Sequence, residues 1–389
     1  MKIAQVAPLI ESVPPRLYGG TERVVSYLTE ELVRQGHEVT LFASGDSRTA
    51  AELVACVPQA LRLDPDVNDY APYTYIQLEQ LRQRAAQFDI IHFHTDLAHL
   101  PLVRAGVATC TVTTLHGRLD LPDYRPLFAA FDDVPLVSIS NQQRQPLPGA
   151  RWAGTVYHGL PADVCTFTET PSSDEYFAFI GRISPEKRPD RAIEIARRAG
   201  VKLRMAAKVD PVDRAYFRNT IEPLLRDAPH VEFIGEIGEA EKSSFLGNAR
   251  ALLFPIDWPE PFGLVLIEAM SCGTPVIAWR CGAVPEVVDH GVTGFVVDSM
   301  DEAVEAVRRV SSLDRRTVRE RFEQRFSVER MARDYLAVYA ALGARPGAHA
   351  IRARRELPRA GATHVPRHPA QPHGPCRHEP RHDDRPATT

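Results

Sequence analysis

The sequence predicts an α/β protein built from two Rossmann-like domains, and three observations carry that prediction. The chain has 389 residues, more than one ordinary core holds. Short apolar, β-rich runs alternate with helical patterns along most of its length, the arrangement of parallel βαβ units. The alternation is interrupted once, by the polar FTETPSSDE at residues 167–175, which has the composition of an interdomain linker.

Composition narrows the class. Apolar residues make up 44% and charged residues 25%, as in ordinary globular proteins. The formal charge is −4, so nothing global recruits nucleic acid. From Arg345 onward nine arginines stand against four acidic residues, a local +5 that leaves about −9 on residues 1–344. The opening MKIAQVAPLI enters a strand pattern without a basic leader, and no apolar run approaches the ~20 residues of a membrane span. Six cysteines with no CxxC pair suit reduced thiols in a cytoplasm and argue against structural zinc.

In the first half, residues 2–8 read as a buried parallel strand. Gly19-Gly20-Thr21-Glu22 opens an amphipathic helix with Val24, Leu28 and Leu32 on its buried stripe, Gly36 ends it, and 39–43 is the next strand. The strand-to-helix loop is long, and its Gly-Gly pair can bring main-chain N–H groups against an anion. It is not GxGxxG, so no dinucleotide fingerprint is assigned. Residues 45–70 lack a pattern and are expected to form an irregular excursion. A helix is predicted over 72–87 and strands over 88–93, 109–115 and 134–139. His92 and His94 alternate along a strand, but spacing specifies no third ligand, and no metal site is assigned. His116-Gly117 stands at a strand's carboxyl end, where open parallel sheets bind ligands.

The second half repeats the scheme, with strands over 176–180, 203–209, 231–234, 251–256, 275–279 and 294–297. After the first of them, Arg182 and Lys187 flank a turn; a planar Arg fork with a Lys point charge suits a diphosphate. Residues 327–342 form an amphipathic helix with Met331, Tyr335, Leu336 and Tyr339 on one face. Beyond it the Pro-, Arg- and His-rich chain has too little apolar surface to offset its entropy, and disorder is expected. Its arginines suit contact with an anionic membrane surface.

The stretch that concentrates chemistry is FPIDWPEPFGLVLIEAMSCGTPVIA, residues 254–278. A Trp-Pro-Glu-Pro turn leads into a helix that is apolar almost all round, which places Glu268 in an apolar setting; a lone carboxylate there needs a polar partner. Glu260 lies in the turn, stiffened by Pro259 and Pro261. Between the two acids, Phe262, Gly263 and Leu264 place unpaired N–H groups at the helix start, and Gly263 lets an anion approach closely. An anion cradle thus lies between two acceptors suited to sugar hydroxyls. The alternative is a capped core helix whose Glu268 pairs with a structural Arg or Lys.

EPFGLVLIEAMSCGTPVIA resembles the signature of retaining glycosyltransferases of family 4, whose two glutamates are also eight positions apart. GRISPEK at 181–187 resembles the family's phosphate loop, and the Gly-rich loop at Gly19-Gly20 and the loop carrying His116 resemble their counterparts more loosely. His158-Gly159 departs from the family's Asn-Gly, and His158 is given no role.

The resemblance implies a GT-B architecture, two Rossmann-like domains facing a cleft: an acceptor-side domain over 1–167, a linker over 168–175, a donor domain over 176–326, a helix over 327–342 packing back on the first domain, and a tail over 343–389. A free coiled-coil interface is the other reading of that helix. The implied activity moves a sugar from a UDP- or GDP-sugar donor to an unspecified acceptor hydroxyl, without metal or other cofactor. Arg182, Lys187, Gly19, Gly20, Phe262, Gly263 and Leu264 would hold the diphosphate, Glu268 the ribose, Glu260 the sugar hydroxyls, and His116 the sugar at the reacting centre. A sugar-nucleotide epimerase, a phosphorylase of the same architecture and a non-catalytic nucleotide-sugar binder are the alternatives.

Overall fold

The computed structural model describes residues 1–16, 19–95, 97–107 and 110–347; the expected tail lies outside them from residue 348. Two sheets, parallel throughout, organise the chain. The first contains β1 (Lys2–Val6), β2 (Glu38–Ser44), β3 (Glu52–Val57), β4 (Ile90–Phe93), β5 (Thr111–Thr114), β6 (Leu136–Ser138) and β7 (Trp152–Thr155), in the order β3-β2-β1-β4-β5-β6-β7. The second contains β8 (Phe177–Arg182), β9 (Leu203–Lys208), β10 (Val231–Gly235), β11 (Leu252–Phe254), β12 (Val276–Trp279) and β13 (Gly294–Val297), in the order β10-β9-β8-β11-β12-β13. Each order reverses direction once, between β1 and β4 and between β8 and β11, and ligands of doubly wound sheets bind outside the strand ends at such points.

The strands read as continuous apolar runs because helices cover both faces. Ile3, Ala4 and Val6 of β1 and Leu41, Phe42 and Ala43 of β2 have no exposed surface. The helix Gly20–Arg34 buries Val24, Val25, Leu28 and Leu32 on one stripe and ends before Gly36, whose φ of +83° only glycine adopts easily.

Two elements differ from the sequence reading. Residues 45–70 are not wholly irregular: β3 lies within them as an edge strand, paired in parallel with β2 from Thr40 to Ser44. Its pattern ELVACV shows no alternation because an edge strand under one helix is only half covered. A helix at Arg315–Phe326 was not foreseen either. Asp314 caps it by accepting from the N–H groups of Arg316 and Thr317. Arg315, nearly buried, donates to the carbonyls of Thr168, Gly247 and Ala249 and to Thr274 Oγ1 at 2.7–2.9 Å, fixing the chain where it leaves the linker.

The helix Val328–Ala341, capped by Ser327, returns to the first lobe. Met331, Tyr335 and Tyr339 are fully buried in one cluster with Val24, Leu28 and Leu32. Each such side chain contributes about 1.5–3 kcal/mol by burial, so this face is core and unavailable to a coiled coil. A second fastening is polar: Glu286, from the donor-side lobe, accepts from the N–H groups of Asn141 and Gln142 at 2.8 and 2.6 Å and from Tyr157 Oη at 2.9 Å. Among the described residues no helix is long and apolar enough to cross a membrane.

Candidate active site

Between the two switch points lies a cavity of about 460 Å³ lined by both lobes. The first lobe contributes Gly19, Gly20, Arg23, His116 and Gly117, and the second Arg182, Lys187, Lys242, Glu260, Phe262, Gly263, Leu264 and Glu268. All ten site residues named from the sequence therefore meet at one place, together with His158, to which the sequence assigns no role.

The donor-side wall is built from strand ends. β8 delivers Arg182, and a single turn of helix at Pro185–Lys187 brings Lys187 back beside it. The following residue, Arg188, adopts φ +52°, a left-handed conformation costly for a side-chain-bearing residue, and is held there by forks to Asp190 and Asp257. β11 ends at Phe254 and releases the loop carrying Glu260. That loop is clamped from behind: a Cβ on Gly282 would sit 2.3 Å from the backbone N and O of Glu260, and Ala283 N–H donates to Glu260 O at 2.9 Å. Gly263, at φ +86°, then opens the helix Leu264–Ser271. A Cβ on Gly20 would touch the Leu264 side chain (Cδ1) at 3.4 Å, so the two lobes meet at the helix start.

The cations are already engaged. Lys187 Nζ is bonded to Glu260 Oε2 and lies 4.7 Å from the Trp258 ring, while Trp258 Nε1 donates to the same carboxylate oxygen at 3.1 Å. Arg182 Nη2 donates to Glu186 Oε1 at 2.7 Å, its Nη1 faces Asp210 at 3.8 Å and Asp213 at 4.0 Å, and its buried Nε has no partner. Glu268, buried as its setting predicts, is bonded to Lys242 Nζ at 2.8 Å. Lys242 also reaches Glu239 at 3.1 Å, and Glu239 pairs at 3.0 Å with Arg23 of the other lobe. Burial alone would lower the Lys242 pKa, but the two carboxylates outweigh it and raise it. The structure thus supplies the paired-Glu268 arrangement, with a partner that itself lines the cavity.

On the acceptor side, β4 and β5 end beside each other and place His94 and His116 in contact, Nδ1 to Nε2, at 2.9 Å. The ring of His116 stacks on His158 at 5.4 Å and 13°, and His158 meets the edge of Phe262 at 4.8 Å. Burial pushes His116 down to about 3 and holds His158 well below the usual histidine range. Both rings are neutral near pH 7. His92 and His94 direct every ring nitrogen at a protein partner: Tyr339 and Thr114 for His92, His116 and Gln5 for His94. Among the described residues no group of three or more His, Cys, Asp or Glu is arranged to hold a metal ion.

Lys242, Arg23, Trp258 and Gly282 carried no recognised signal. Lys242 and Arg23 sit in ordinary charged helices, where a cation is usually solvated, and only the fold turns them toward Glu268 and Glu239. Trp258 stands two residues before Glu260 and had been read only as part of the turn.

Two doubly wound lobes facing one cavity, with glycines at the helix start and two cation-paired acids on the second lobe, define a GT-B glycosyltransferase. Comparison with known proteins agrees: residues 18–152 match the family described as Glycosyltransferase Family 4 and residues 167–326 the family described as Glycosyl transferases group 1. The chain belongs to this family of glycosyltransferases and is an enzyme of that class. It is 25% identical over 360 residues to the N-acetyl-alpha-D-glucosaminyl L-malate synthase of Bacillus anthracis, covering 82% of this chain and 93% of that protein. It is 26% identical over 322 residues to the phosphatidyl-myo-inositol mannosyltransferase of Mycolicibacterium smegmatis, covering 76% and 81%. Among solved structures, AviGT4, a glycosyltransferase involved in avilamycin A biosynthesis, superposes with a TM-score of 0.65 at 22% identity over 88% of this chain and 98% of its own. Anabaena HepE in complex with UDP-glucose does so at 0.66 and 17%, over 88% and 100%. These structural likenesses establish the fold.

Proposed function

We propose that the protein transfers a sugar from a UDP- or GDP-sugar to an acceptor hydroxyl with retention at the anomeric carbon, and that the bond-breaking step is driven by fixed positive groups of the protein. One observation carries the reading: Arg182, Lys187 and the start of the helix Leu264–Ser271 converge on a single cavity that His116 and Gly20 close from the other lobe. The solved complex of HepE with UDP-glucose, on the same fold, supports a donor of this kind.

The chemistry follows from the charges. As the glycosidic bond breaks, negative charge grows on the leaving diphosphate, and preorganised donors at that position lower the barrier. In the ligand-free protein Lys187 and Arg182 are held by Glu260 and Glu186. An arriving diphosphate, more highly charged than either carboxylate, takes the cations over. Glu260 is then released to accept donor-sugar hydroxyls, so binding the correct donor itself arms the acid. Glu268 accepts from the ribose while keeping Lys242 nearby. His116, neutral, faces the sugar without adding positive charge beside an oxocarbenium-like centre. The reading assigns neutralisation to these groups and requires no divalent cation or other cofactor.

A panel of UDP-, GDP- and ADP-sugars tests this by thermal stabilisation. A donor at 100 times its dissociation constant adds about 2.7 kcal/mol. Expected are a rise in melting temperature with a UDP- or GDP-sugar, slow donor hydrolysis, and turnover insensitive to a chelator. No stabilisation by any nucleotide sugar, or activity abolished by chelation, overturns the reading. Interconversion of donors without an acceptor would assign the site to an epimerase.

A further inference from the structure

The polar chain beneath His116 has a direction, and that direction decides where the ring carries its proton. Gln5 of β1 is fully buried; its amide Nε2 donates to Tyr339 Oη at 3.3 Å, and its carbonyl Oε1 lies 2.7 Å from His94 Nε2. A carbonyl oxygen only accepts, so His94 is protonated on Nε2. Burial, with His92 and His116 alongside, drives the His94 pKa well down, and the neutral ring has a lone pair on Nδ1. The 2.9 Å contact to His116 is therefore an N–H donated by His116 Nε2. His116 is neutral too, so its Nδ1 is bare.

The far end of the chain agrees. Tyr339 Oη, accepting from Gln5, gives its own proton to His92 Nδ1 at 2.7 Å, and His92 Nε2 donates to Thr114 Oγ1 at 2.7 Å. Running the whole chain backwards would place a proton on His116 Nδ1, which is buried and without a partner. An orphaned buried N–H is rarer and more costly than an orphaned acceptor, and this selects the forward direction.

The geometry points to Tyr339, Gln5 and His94 as positioning residues that fix His116 as the Nε2-protonated, Nδ1-bare imidazole. The helix Val328–Ala341, which contributes no residue to the lining of the cavity, thereby sets which face of the ring is an acceptor. The influence on rate rests on the glycosyl-transfer reading above; the proton position does not.

Nitrogen NMR of the full chain carrying 15N-histidine tests the two separately, with His116→Gln assigning the resonance among the 14 histidines. In the wild type, Nδ1 of His116 should give the signal of an unprotonated imidazole nitrogen and Nε2 that of a protonated one. Tyr339→Phe keeps the packing but frees the Gln5 amide to rotate, and His116 should become a mixture of tautomers. With the sugar donor, kcat should fall about tenfold in Tyr339→Phe, with KM within about twofold of wild type. A proton on Nδ1 in the wild type, or a tautomer unmoved by Tyr339→Phe, overturns the inference; a moved tautomer with unchanged kcat overturns its influence on rate alone. The wild-type spectrum decides even where a variant fails to fold.

Discussion

Lys187 and Glu260, 73 residues apart in sequence, are bonded to each other at the floor of the cleft, and both side chains are largely shielded, with 17% and 12% of their surface exposed. The ligand-free site therefore stores its principal cation against its principal acid, and a donor must separate them.

A double-mutant cycle follows from that exchange. Lys187→Met and Glu260→Gln should show a coupling of about 1–3 kcal/mol in urea unfolding without ligand. The coupling should shrink toward zero at saturating nucleotide sugar, where Lys187 has moved to the diphosphate. Equal coupling in both conditions counts against the exchange. Lys187→Met alone should lower kcat/KM by roughly 10²–10³-fold.

Trp258 reports the same event optically. Its ring lies 4.7 Å from Lys187 Nζ and its indole N–H on Glu260. Donor binding should change its fluorescence, and the change should disappear in Trp258→Phe and in Lys187→Met; an identical response in Lys187→Met would show that the lysine stays in place.

Gly282 holds the acid's backbone in position. Gly282→Ala forces a Cβ to 2.3 Å from Glu260 N and O at φ +55°. The expected cost is about 1–3 kcal/mol in stability, with a loss of kcat/KM larger than that of the cavity-remote Gly291→Ala, whose Cβ meets nothing within 4 Å. Comparable kinetics in the two variants would release Gly282 from this role.

Acid should destabilise the fold through its buried histidines. Burial pushes His99, which has no exposed surface, down to about 3, against about 6.5 in an unfolded chain. Between these values only the unfolded state is protonated, so stability is complete above about pH 6.5 and declines as pH falls toward 3. Between pH 6.5 and 5 this one ring accounts for roughly 2 kcal/mol. Urea midpoints at pH 7 and pH 5 measure the slope, which His99→Gln should reduce.

The donor half was readable because its chemistry is local. Glu260, Gly263 and Glu268 lie within nine residues, and Arg182 and Lys187 follow one strand; spacing forms these two groups, and the family resemblance joins them into one site. The acid in an apolar helix demanded a polar partner, but that partner, Lys242, sits in a different helix that only tertiary packing turns toward it. The same holds for His94 and Gln5: nothing in the sequence shows that they are partners until β1, β4 and β5 are laid side by side. β3 escaped because half-covered edge strands lack a clean period, and the helix at Arg315–Phe326 because Arg and Glu dominate its face.

The first lobe does not own all of its interior. Residues 328–341 supply Met331, Tyr335 and Tyr339 to a cluster whose other members lie almost entirely before residue 157. During synthesis the amino-terminal lobe leaves the ribosome with an uncovered oily strip along Val24, Leu28 and Leu32, and must wait for some 170 further residues before that strip is sealed. Maturation is thus gated by the late helix: the early half becomes a finished body only after the donor half has already been made.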